Sequence, residues 1–308
     1  MMSMTEKLIQ AFKGQSFSLT DAYSKFPNEK QHSIRARIYE GLGTKFKRLG
    51  KALYITEEQD CVLIEGDGRD LSLLDDNSID CIITDHPWED AKANKGGSRN
   101  FATYDCFRYN QLDFIEKARV LKEGSFLVEC IPAENETNYE YLYQLKKMAE
   151  VAGFQYYAKV PWTKGPFVSN TGRKAKNTED LMIFSKGEPR KLRIDAKKTK
   201  ATGITQYMKG TNGMLPTDFN VQAVPIKERI HKSEKPTLLF EQLLEYVTLP
   251  DEVVLDQFAG SGVVGEACKN KHRACILIEK AVENCKKIRD RLGLNVCEKG
   301  GNLCVGSL

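Results

Sequence analysis

The amino-acid sequence predicts an α/β fold, a doubly wound and mainly parallel sheet with a small helical unit in front of it. From Cys61 to Leu292 short apolar runs alternate with amphipathic stretches at helical spacing, which is typical of strands joined by crossover helices. A glycine-rich turn follows one of the last apolar runs, as in open sheets that bind nucleotides. Residues 1–57 follow a different pattern and therefore predict a separate unit.

The N-terminal unit, residues 1–57, has the predicted element order of a winged helix. An amphipathic stretch opens the chain, Ser18 is a suitable N-cap for a second helix, and Ile34 and Ile38 mark a third. Two short runs around a glycine-containing turn then predict a basic hairpin at residues 46–55. In a winged helix the third helix enters the major groove, so we expect a DNA-binding unit. The alternative is a structural cap on the main domain.

The main domain is predicted to span residues 58–298 with a sheet of seven strands. The candidate strands are Cys61–Ile64, Ile79–Thr84, Phe126–Cys130, Phe154–Val160, Leu181–Phe184, Val253–Leu255 and Ala274–Ile278. The candidate helices are Leu112–Val120, Tyr139–Val151, Leu238–Val247, Val263–Lys269 and Val282–Leu292. Residues 187–229 are basic and interrupt this alternation, and residues 299–308 are expected to form a loose tail.

Composition excludes several classes of protein. With 41% hydrophobic and 29% charged residues, the chain of 308 residues can bury a core. The sequence has no run of eighteen apolar residues and no apolar leader at its N-terminus, so we expect a soluble, cytoplasmic protein without membrane contact. Nine cysteines without a C-x-x-C pair and four histidines offer no ligand spacing, so we predict no metal site.

The net charge of +4 conceals a strong asymmetry. Three segments, Lys30–Lys51, Lys159–Lys176 and Lys186–Lys209, carry most of the excess of lysine and arginine. The remainder of the chain is acidic. Local positive fields on an otherwise acidic protein indicate a polyanionic partner, although one such segment alone is typical of a solvated loop.

The glycine-rich turn after Val253–Leu255 predicts a loop that binds a nucleotide or nucleoside. Gly260 and Gly262 let the backbone approach a ligand where any side chain would collide. Glu279 ends the next apolar run and is placed to accept hydrogen bonds from ribose hydroxyls. This spacing also fits a dinucleotide-dependent dehydrogenase. However, only 46 residues follow Gly262, too few for the rest of a doubly wound sheet.

A second candidate site follows the buried run Ile79–Thr84, whose carboxyl end delivers Asp85, His86, Pro87 and Trp88. Ligands of open α/β sheets bind at that edge. Trp88 would stack on a planar nucleobase and Asp85 would accept a hydrogen bond from its exocyclic amine, while Pro87 stiffens the loop. The alternative is a purely structural strand end with a capping Asp and a packed Trp. The presence of the glycine-rich loop in the same chain favours the functional interpretation.

Five segments together resemble the motifs of the β class of S-adenosylmethionine-dependent DNA amino-methyltransferases. The segments and the motifs they resemble are Ile64–Asp67 (a strand and its acid), Asp85–Trp88 (D-P-P-[YFW]), Arg119–Phe126 (R-V-L-K-P-G-G), His231–Pro236 (H-P-T-x-K-P) and Asp256–Gly262 (D-P-F-x-G-S-G). The catalytic motif precedes the cofactor loop, which is the circularly permuted order of that class. The resemblance covers about residues 61–292 and implies a Rossmann-like methyltransferase sheet.

The resemblance implies both a reaction and the residues that perform it. The family transfers a methyl group from S-adenosylmethionine to the exocyclic amine of a base flipped out of duplex DNA. The implied catalytic residues are Asp85, His86, Pro87 and Trp88, with the amine bonded to Asp85 and the His86 carbonyl. The implied cofactor residues are Asp67 near the adenine, Ser233 and Lys235 at the methionine carboxylate, Asp256, Phe258, Gly260, Ser261 and Gly262 in the loop, and Glu279 at the ribose.

The sequence departs from the family motifs in places. His86 replaces the first proline of the catalytic motif, and this change bears on the rigidity of the loop. Gln257 replaces a proline of the cofactor loop, and Ser233 replaces a threonine.

The resemblance also implies a substrate. In this family an Asp at the first motif position goes with adenine and a Ser with cytosine, so Asp85 indicates adenine-N6 methylation. Methylation of the cytosine ring carbon uses a Pro-Cys pair, and no cysteine follows a proline here. Cytosine-N4 methylation, an RNA substrate and a catalytically degenerate DNA-binding regulator are the alternatives. Residues 187–229 are then the target-recognition region, whose Lys and Arg contact phosphates.

The expected setting is the cytoplasm of a prokaryote or of a phage host, in contact with the nucleoid. We consider a homodimer as the assembly. A restriction-modification system, a phage and a regulatory circuit stay open as the context of the reaction.

Overall fold

The structure is a computed structural model that describes residues 2–12, 17–50, 53–56, 61–88, 106–165, 177–193, 197–199, 202–203, 205–231, 233–294 and 303–306. Residues 166–176 of the second basic segment, several residues of the third and most of the predicted tail lie outside these ranges.

The described residues of the N-terminal unit form three helices and a hairpin: α1 (Met4–Ala11), α2 (Leu19–Lys25), α3 (Gln31–Glu40), β1 (Phe46–Gly50) and β2 (Leu53–Thr56). Capping boxes at Ser3 and Ser18 begin the first two helices by satisfying free backbone N–H groups. An isolated antiparallel bridge between Phe17 and Tyr54 joins the segment before α2 to the hairpin. The order of elements is therefore that of a winged helix.

This unit has a hydrophobic core of its own and also packs against the main domain. The largest residues of its core are Leu8, Phe12, Phe17, Ile34, Ile38, Phe46 and Tyr54. Leu53 and Ile55 of β2 belong instead to a core cluster of the main domain. Arg48 adds a salt bridge of 2.9 Å to Asp75. The hairpin is thus the connection between the two parts.

Among the residues that the structure describes, the main domain is built on a sheet of nine strands. These are β3 (Cys61–Glu65), β4 (Ile79–Thr84), β5 (Leu121–Pro132), β6 (Phe154–Thr163), β7 (Thr178–Lys186), β10 (Phe219–Asn220), β11 (Val253–Asp256), β12 (Ala274–Glu279) and β13 (Leu303–Gly306). The strand order is β10-β6-β7-β5-β4-β11-β12-β3-β13. A separate hairpin consists of β8 (Lys197–Thr199) and β9 (Thr205–Tyr207).

All seven predicted strands are present in the sheet. The structure adds β10 and β13 at its two edges, so the predicted number of seven was too low. The tail was predicted to be loose, but Leu303–Gly306 pairs antiparallel with β3. The physical reason is that the outer edge of β3 otherwise presents unpaired backbone N–H and C=O groups, which a strand satisfies. At the other edge, Phe219 and Asn220 pair in parallel with β6.

In the described part of the main domain, five helices cover the two faces of the sheet. They are α4 (Gln111–Val120), α5 (Tyr139–Val151), α6 (Thr237–Val247), α7 (Val263–Asn270) and α8 (Val282–Leu292). Apolar residues of α4 and α5 form one core layer with the sheet, and those of α6, α7 and α8 form the other. Among the helices of the described ranges, none combines the length and apolar composition that a membrane crossing requires.

The region predicted for target recognition contributes partly to the scaffold. Leu192, Phe219 and Val221 are buried in the core. The Arg190 guanidinium forms an ion pair with Glu252 rather than facing outward, with one bond of 2.6 Å. Arg190, a basic residue of this segment, thus stabilises the scaffold through its ion pair with Glu252.

The topology sets the position of the site. β4, β11, β12 and β3 are mutually parallel, so their carboxyl ends meet at one edge of the sheet. β7 is antiparallel to β5, which places its amino end at the same edge. Residues far apart in sequence therefore converge there.

Candidate active site

A cleft of about 1000 Å³ opens at the carboxyl edge of the sheet. All four predicted catalytic residues line it, as do all of the predicted cofactor residues except Gly262. The structure thus brings together two groups of residues that the sequence separates by about 170 positions.

Asp85 is the first residue after β4, and its carboxylate lies against a lysine. Lys235 donates from Nζ to Asp85 Oδ2, and the same nitrogen is 3.4 Å from Glu179 Oε2. Lys164 pairs with the other oxygen of Glu179. The four groups form a chain of alternating charges along one wall of the cleft, in which Lys235 is 9% exposed and contacts both carboxylates.

Burial and mutual charge shift the pKa values of these groups. Burial raises the pKa of Asp85, and the Lys235 ammonium opposes that rise. Burial alone would lower the pKa of Lys235, but the charges of Asp85 and Glu179 raise it above its ordinary value. Burial, with the nearby charges of Asp85 and Glu279, raises the pKa of Asp256 to about 8. The cleft is therefore rich in acidic groups and suits a cationic ligand.

The cofactor loop has the backbone conformation that glycine permits. Gly260 and Gly262 have φ values of +53° and +75°. A Cβ added to Gly260 would meet no atom closer than 3.8 Å, so this glycine leaves open space at the cleft. A Cβ added to Gly262 would lie 3.1 Å from Ile288. Gly262 therefore shapes the turn against α8 and does not line the cleft.

Glu279, at the end of β12, is held in place by backbone and side-chain donors. Its carboxylate accepts hydrogen bonds from Gly260 N at 2.8 Å, Ala281 N at 2.9 Å and Asn284 Nδ2 at 3.2 Å. A carboxylate has about four lone-pair positions, so acceptor capacity remains for a ligand in the cleft.

Gln257, where the family motif has proline, links two loops of the cleft. Its Nε2 donates to Gly68 O at 2.7 Å. A Cβ added to Gly68 would lie 1.8 Å from Gln257 O, which shows that the two backbones touch. The loop that carries Asp67 is thus bonded to the cofactor loop through a side chain that proline lacks.

Ser233 and Lys235 lie on the segment before α6, which Glu234 anchors. Glu234 Oε1 accepts a hydrogen bond of 2.6 Å from Arg291, a residue of α8. Arg291 also donates to Ser261 O at 3.1 Å. α8 therefore joins this segment to the cofactor loop.

Trp88 presents a flat surface to the cleft. Its ring centroid is 4.2 Å from that of His86 and 5.3 Å from that of Tyr141. The half-buried indole lines the cleft, and its Nε1 has no hydrogen-bond partner among the described residues. An indole placed in this way can stack on a planar ring.

The sequence does not predict Glu179, Lys117 or Glu129, which contact the candidate catalytic residues directly or through one partner, nor Lys164, which pairs with Glu179. Glu179 lies at the amino end of an antiparallel strand, so only the strand order shows that it reaches the cleft. The one available signal was Glu129, a charged residue inside the apolar run Phe126–Cys130.

The arrangement has a definite chemical capacity. A carboxylate and an indole, Asp85 and Trp88, can hold a planar amine-bearing ring. Gly260 and Glu279 can hold a ribose-bearing ligand beside it. The same cleft therefore accommodates a nucleobase and a nucleoside-containing cofactor side by side.

Comparison with known proteins agrees with this capacity. A family model described as DNA methylase (N6_N4_Mtase) matches residues 79–290. The type II methyltransferase M.HpaI of Haemophilus parainfluenzae is 25% identical over 229 residues, which cover 72% of this chain and 70% of that protein. The type II methyltransferase M.BglI of Bacillus subtilis is 30% identical over 142 residues, covering 44% and 38%.

Solved structures share the fold. The M1.HpyAVI–SAM complex has a TM-score of 0.52 and 21% identity, and the match covers 76% of this chain and all of that one. The cytosine-N4-specific PvuII DNA methyltransferase has a TM-score of 0.53 and 16% identity, with 79% and 89% covered. At these identities the likeness concerns the architecture alone.

Proposed function

The chain belongs to the DNA methylase family, the S-adenosylmethionine-dependent amino-methyltransferases of the N6/N4 type, and from that premise we propose that it methylates the N6 amine of adenine in duplex DNA. The observation that carries the choice of adenine is the carboxylate of Asp85 at the carboxyl end of β4, where the family's cytosine enzymes have a serine hydroxyl. Asp85 and Trp88 line the same cleft as the cofactor loop.

The residues of the cleft fit the cofactor. The open space at Gly260 admits a ligand against the backbone, and Glu279 is oriented toward the cleft with acceptor capacity left over. The acidic groups Asp85, Asp256 and Glu279 suit a ligand with a sulfonium charge. Bound there, S-adenosylmethionine supplies an electrophilic methyl group.

In the proposed mechanism Asp85 acts on the amine of the flipped base. The amine lone pair is delocalised into the ring, so the amine is a poor nucleophile. Hydrogen bonds to the Asp85 carboxylate and the His86 carbonyl favour a more tetrahedral nitrogen, whose lone pair then points at the methyl group. Alignment of two reactants in one cleft contributes up to roughly 7–11 kcal/mol to such reactions. The methylated ammonium is acidic and loses its proton to water.

Lys235 has a supporting role in this proposal. Because burial raises the pKa of Asp85, the adjacent ammonium is needed to keep the carboxylate ionised and able to accept hydrogen bonds. Trp88 stacks on the flipped base and offsets part of the few kcal/mol that flipping costs.

The wider assignments belong to the same proposal. The N-terminal unit and residues 187–229 contact DNA, with exposed lysine and arginine side chains on the phosphates. The matched relatives are type II methyltransferases, which supports a restriction-modification context in a bacterial cytoplasm.

The test is methyl transfer from labelled S-adenosylmethionine to mixed-sequence duplex DNA, followed by mass spectrometry of the nucleosides. We expect labelled N6-methyladenine. Labelled N4-methylcytosine would overturn the choice of base and retain the cleft chemistry. Methyl transfer to RNA in preference to duplex DNA would make RNA, not DNA, the proposed substrate. DNA binding without any label would favour the regulator over an enzyme.

A further inference from the structure

His86 is buried behind the catalytic loop in an aromatic and polar surrounding. Its side chain is completely enclosed. The ring lies between those of Trp88 and Tyr109, with centroid distances of 4.2 Å and 4.3 Å. A residue with a mobile side chain in a surface loop would show neither feature.

Each edge of the imidazole faces a fixed polar group. Nε2 is 3.2 Å from the Tyr141 hydroxyl, and that hydroxyl accepts a hydrogen bond of 2.8 Å from Tyr109 N. Nδ1 is 3.8 Å from Glu129 Oε2. The hydrogen bond is thus made at Nε2, to which the Tyr141 hydroxyl can donate, whereas the contact of Nδ1 with Glu129 is longer than a hydrogen bond and is electrostatic.

Glu129 is in turn paired with a lysine that has no contact with solvent. Lys117 Nζ donates to Glu129 Oε1, and both side chains are fully buried. The same ammonium lies 3.8 Å from the centroid of the Tyr109 ring. A buried ion pair contributes little net stability and is strongly unfavourable when one partner is lost, so its presence behind a catalytic loop calls for a role other than packing.

We propose that His86 is a positioning residue, which the Lys117–Glu129 pair and Tyr141 lock in place so that Asp85 and Trp88 keep one fixed geometry. In this chain a buried, hydrogen-bonded ring thus supplies the loop rigidity for which the family motif uses a proline. The inference rests on the proposed function of Asp85 and Trp88.

The charges around His86 hold the ring in a single state. Burial lowers its pKa; the charge of Lys117 lowers it further, while Glu129 and Asp85 act in the opposite direction. Tyr109 and Tyr141 are uncharged, because burial raises the pKa of both hydroxyls. A neutral ring can both accept from Tyr141 and point a donor at Glu129, so the anchoring is constant through neutral pH.

The test compares His86→Ala, which removes the ring, with His86→Pro, which restores a rigid loop by a different means. We expect His86→Ala to lower kcat by about 10- to 100-fold, the size of effect that an ångström-scale misplacement produces. The Kd for S-adenosylmethionine should stay within about twofold. His86→Pro should recover kcat to within about threefold of the parent.

Tyr141→Phe tests the hydrogen bond to His86 without removing the imidazole ring. It decides whether His86 is a positioning residue if His86→Ala does not fold. It removes the hydroxyl on Nε2, and we expect a smaller fall in kcat of about three- to tenfold. Tyr143→Phe, on the same helix and 58% exposed, is the matched control and should behave as the parent.

Three outcomes would overturn the inference. One is parental kcat in both His86→Ala and Tyr141→Phe. Another is a His86→Pro variant that binds cofactor normally yet is as inactive as His86→Ala, because rigidity would then not be what the ring supplies. The third is a His86→Ala variant with a lower melting temperature and unchanged kcat, because His86 would then contribute to stability alone.

A fluorescence measurement separates this inference from the proposed function, since it requires neither DNA nor methyl transfer. Trp88 and the buried Trp162 are the chain's two tryptophans, and Trp88→Phe gives the Trp162 background. We expect acrylamide quenching of Trp88 to rise at least twofold in His86→Ala and to fall again in His86→Pro. Unchanged quenching contradicts the positioning role, whereas an inactive parent contradicts only the proposed function.

Discussion

Lys235 contacts two carboxylates, and the two contacts have different meanings for the reaction. The bond to Asp85 opposes the rise in pKa that burial causes at this carboxyl, while the contact with Glu179 holds the ammonium at the wall of the cleft. Loss of Asp85 still leaves Lys235 paired with Glu179. A substitution at Asp85 therefore tests catalysis without leaving an unpaired buried charge.

The first prediction concerns Asp85→Ala. We expect turnover to fall by at least about 100-fold, because the amine loses the acceptor that reorients its lone pair. The Kd for S-adenosylmethionine should change by less than about threefold. Glu150→Gln, whose side chain is 66% exposed on α5, is the control. Full activity of Asp85→Ala in the labelled-methyl assay would remove Asp85 from the mechanism.

The second prediction concerns pH. The folded chain keeps Asp256 protonated up to a pKa of about 8, whereas the unfolded chain releases that proton near the ordinary value of 3.8. Asp256 therefore lowers the free energy of unfolding as the pH rises from about 4 to 8. S-Adenosylmethionine carries a net positive charge, which favours the carboxylate. We expect cofactor binding to release a proton and to become tighter between pH 6 and 8, levelling off above.

Calorimetry in buffers of different ionisation enthalpy measures that proton directly. Asp256→Asn is the matched variant, and it should bind with little pH dependence over the same range. It should also unfold at a higher temperature than the parent at pH 8, and the gap should narrow toward pH 5. Equal proton release in parent and variant would assign the proton to another group.

At the scale of elements, the loops after β3 and β11 are in direct backbone contact in the cleft. Gly68 lies against the Gln257 backbone, and no side chain fits between them. Two residues earlier, an added Cβ at Gly66 would meet only Ile64 Cγ2 at 3.9 Å. The two glycines thus have opposite tolerance to substitution.

The third prediction follows from that contrast. Gly68→Ala should separate the two loops, raise the Kd for S-adenosylmethionine at least tenfold and lower the melting temperature, because the clash is with backbone rather than a flexible side chain. Gly66→Ala should change both quantities little. Equal effects of the two substitutions, measured by calorimetry and thermal unfolding, would contradict the close approach.

The sequence predicts elements that depend on side-chain pattern better than those that depend on pairing. β4 is an apolar run buried along its whole length, so its pattern identified it. β10 has two residues, and β13 is set by the free edge of β3, so neither has a periodic signal. Asp85 and Glu279 were predicted because the carboxyl ends of parallel strands converge. Glu179 requires knowledge of the sheet order.

At the scale of the molecule, basic charge is concentrated in the N-terminal unit and in the sequence segments Lys159–Lys176 and Lys186–Lys209. Arg35 on α3 and Lys45 at the start of the hairpin are exposed. If the unit binds DNA as a winged helix does, with its third helix in the major groove, we expect both side chains to contact phosphates. The assignment of residues 1–57 as a DNA-binding unit remains a prediction.

The fourth prediction tests that assignment. Arg35→Gln combined with Lys45→Gln should weaken DNA binding for all sequences and should reduce the slope of log K against log salt by about 2, since each lost phosphate contact accounts for about 0.9. Lys147→Gln, on α5, is the control for a change of surface charge alone. An unchanged slope of log K against log salt in the double variant would favour the alternative, in which residues 1–57 are a structural cap on the main domain.

The neighbouring positions of β4 and β11 have a consequence for the synthesis of the chain. Asp80 and Val253 are bonded in the fold but lie 173 residues apart. A ribosome therefore releases the N-terminal unit, which has its own core, long before the strand that completes the cleft. The growing polypeptide acquires a place for the methyl donor only when β11 and β12 have emerged. We therefore expect a chain that stops before them to lack methyltransferase activity.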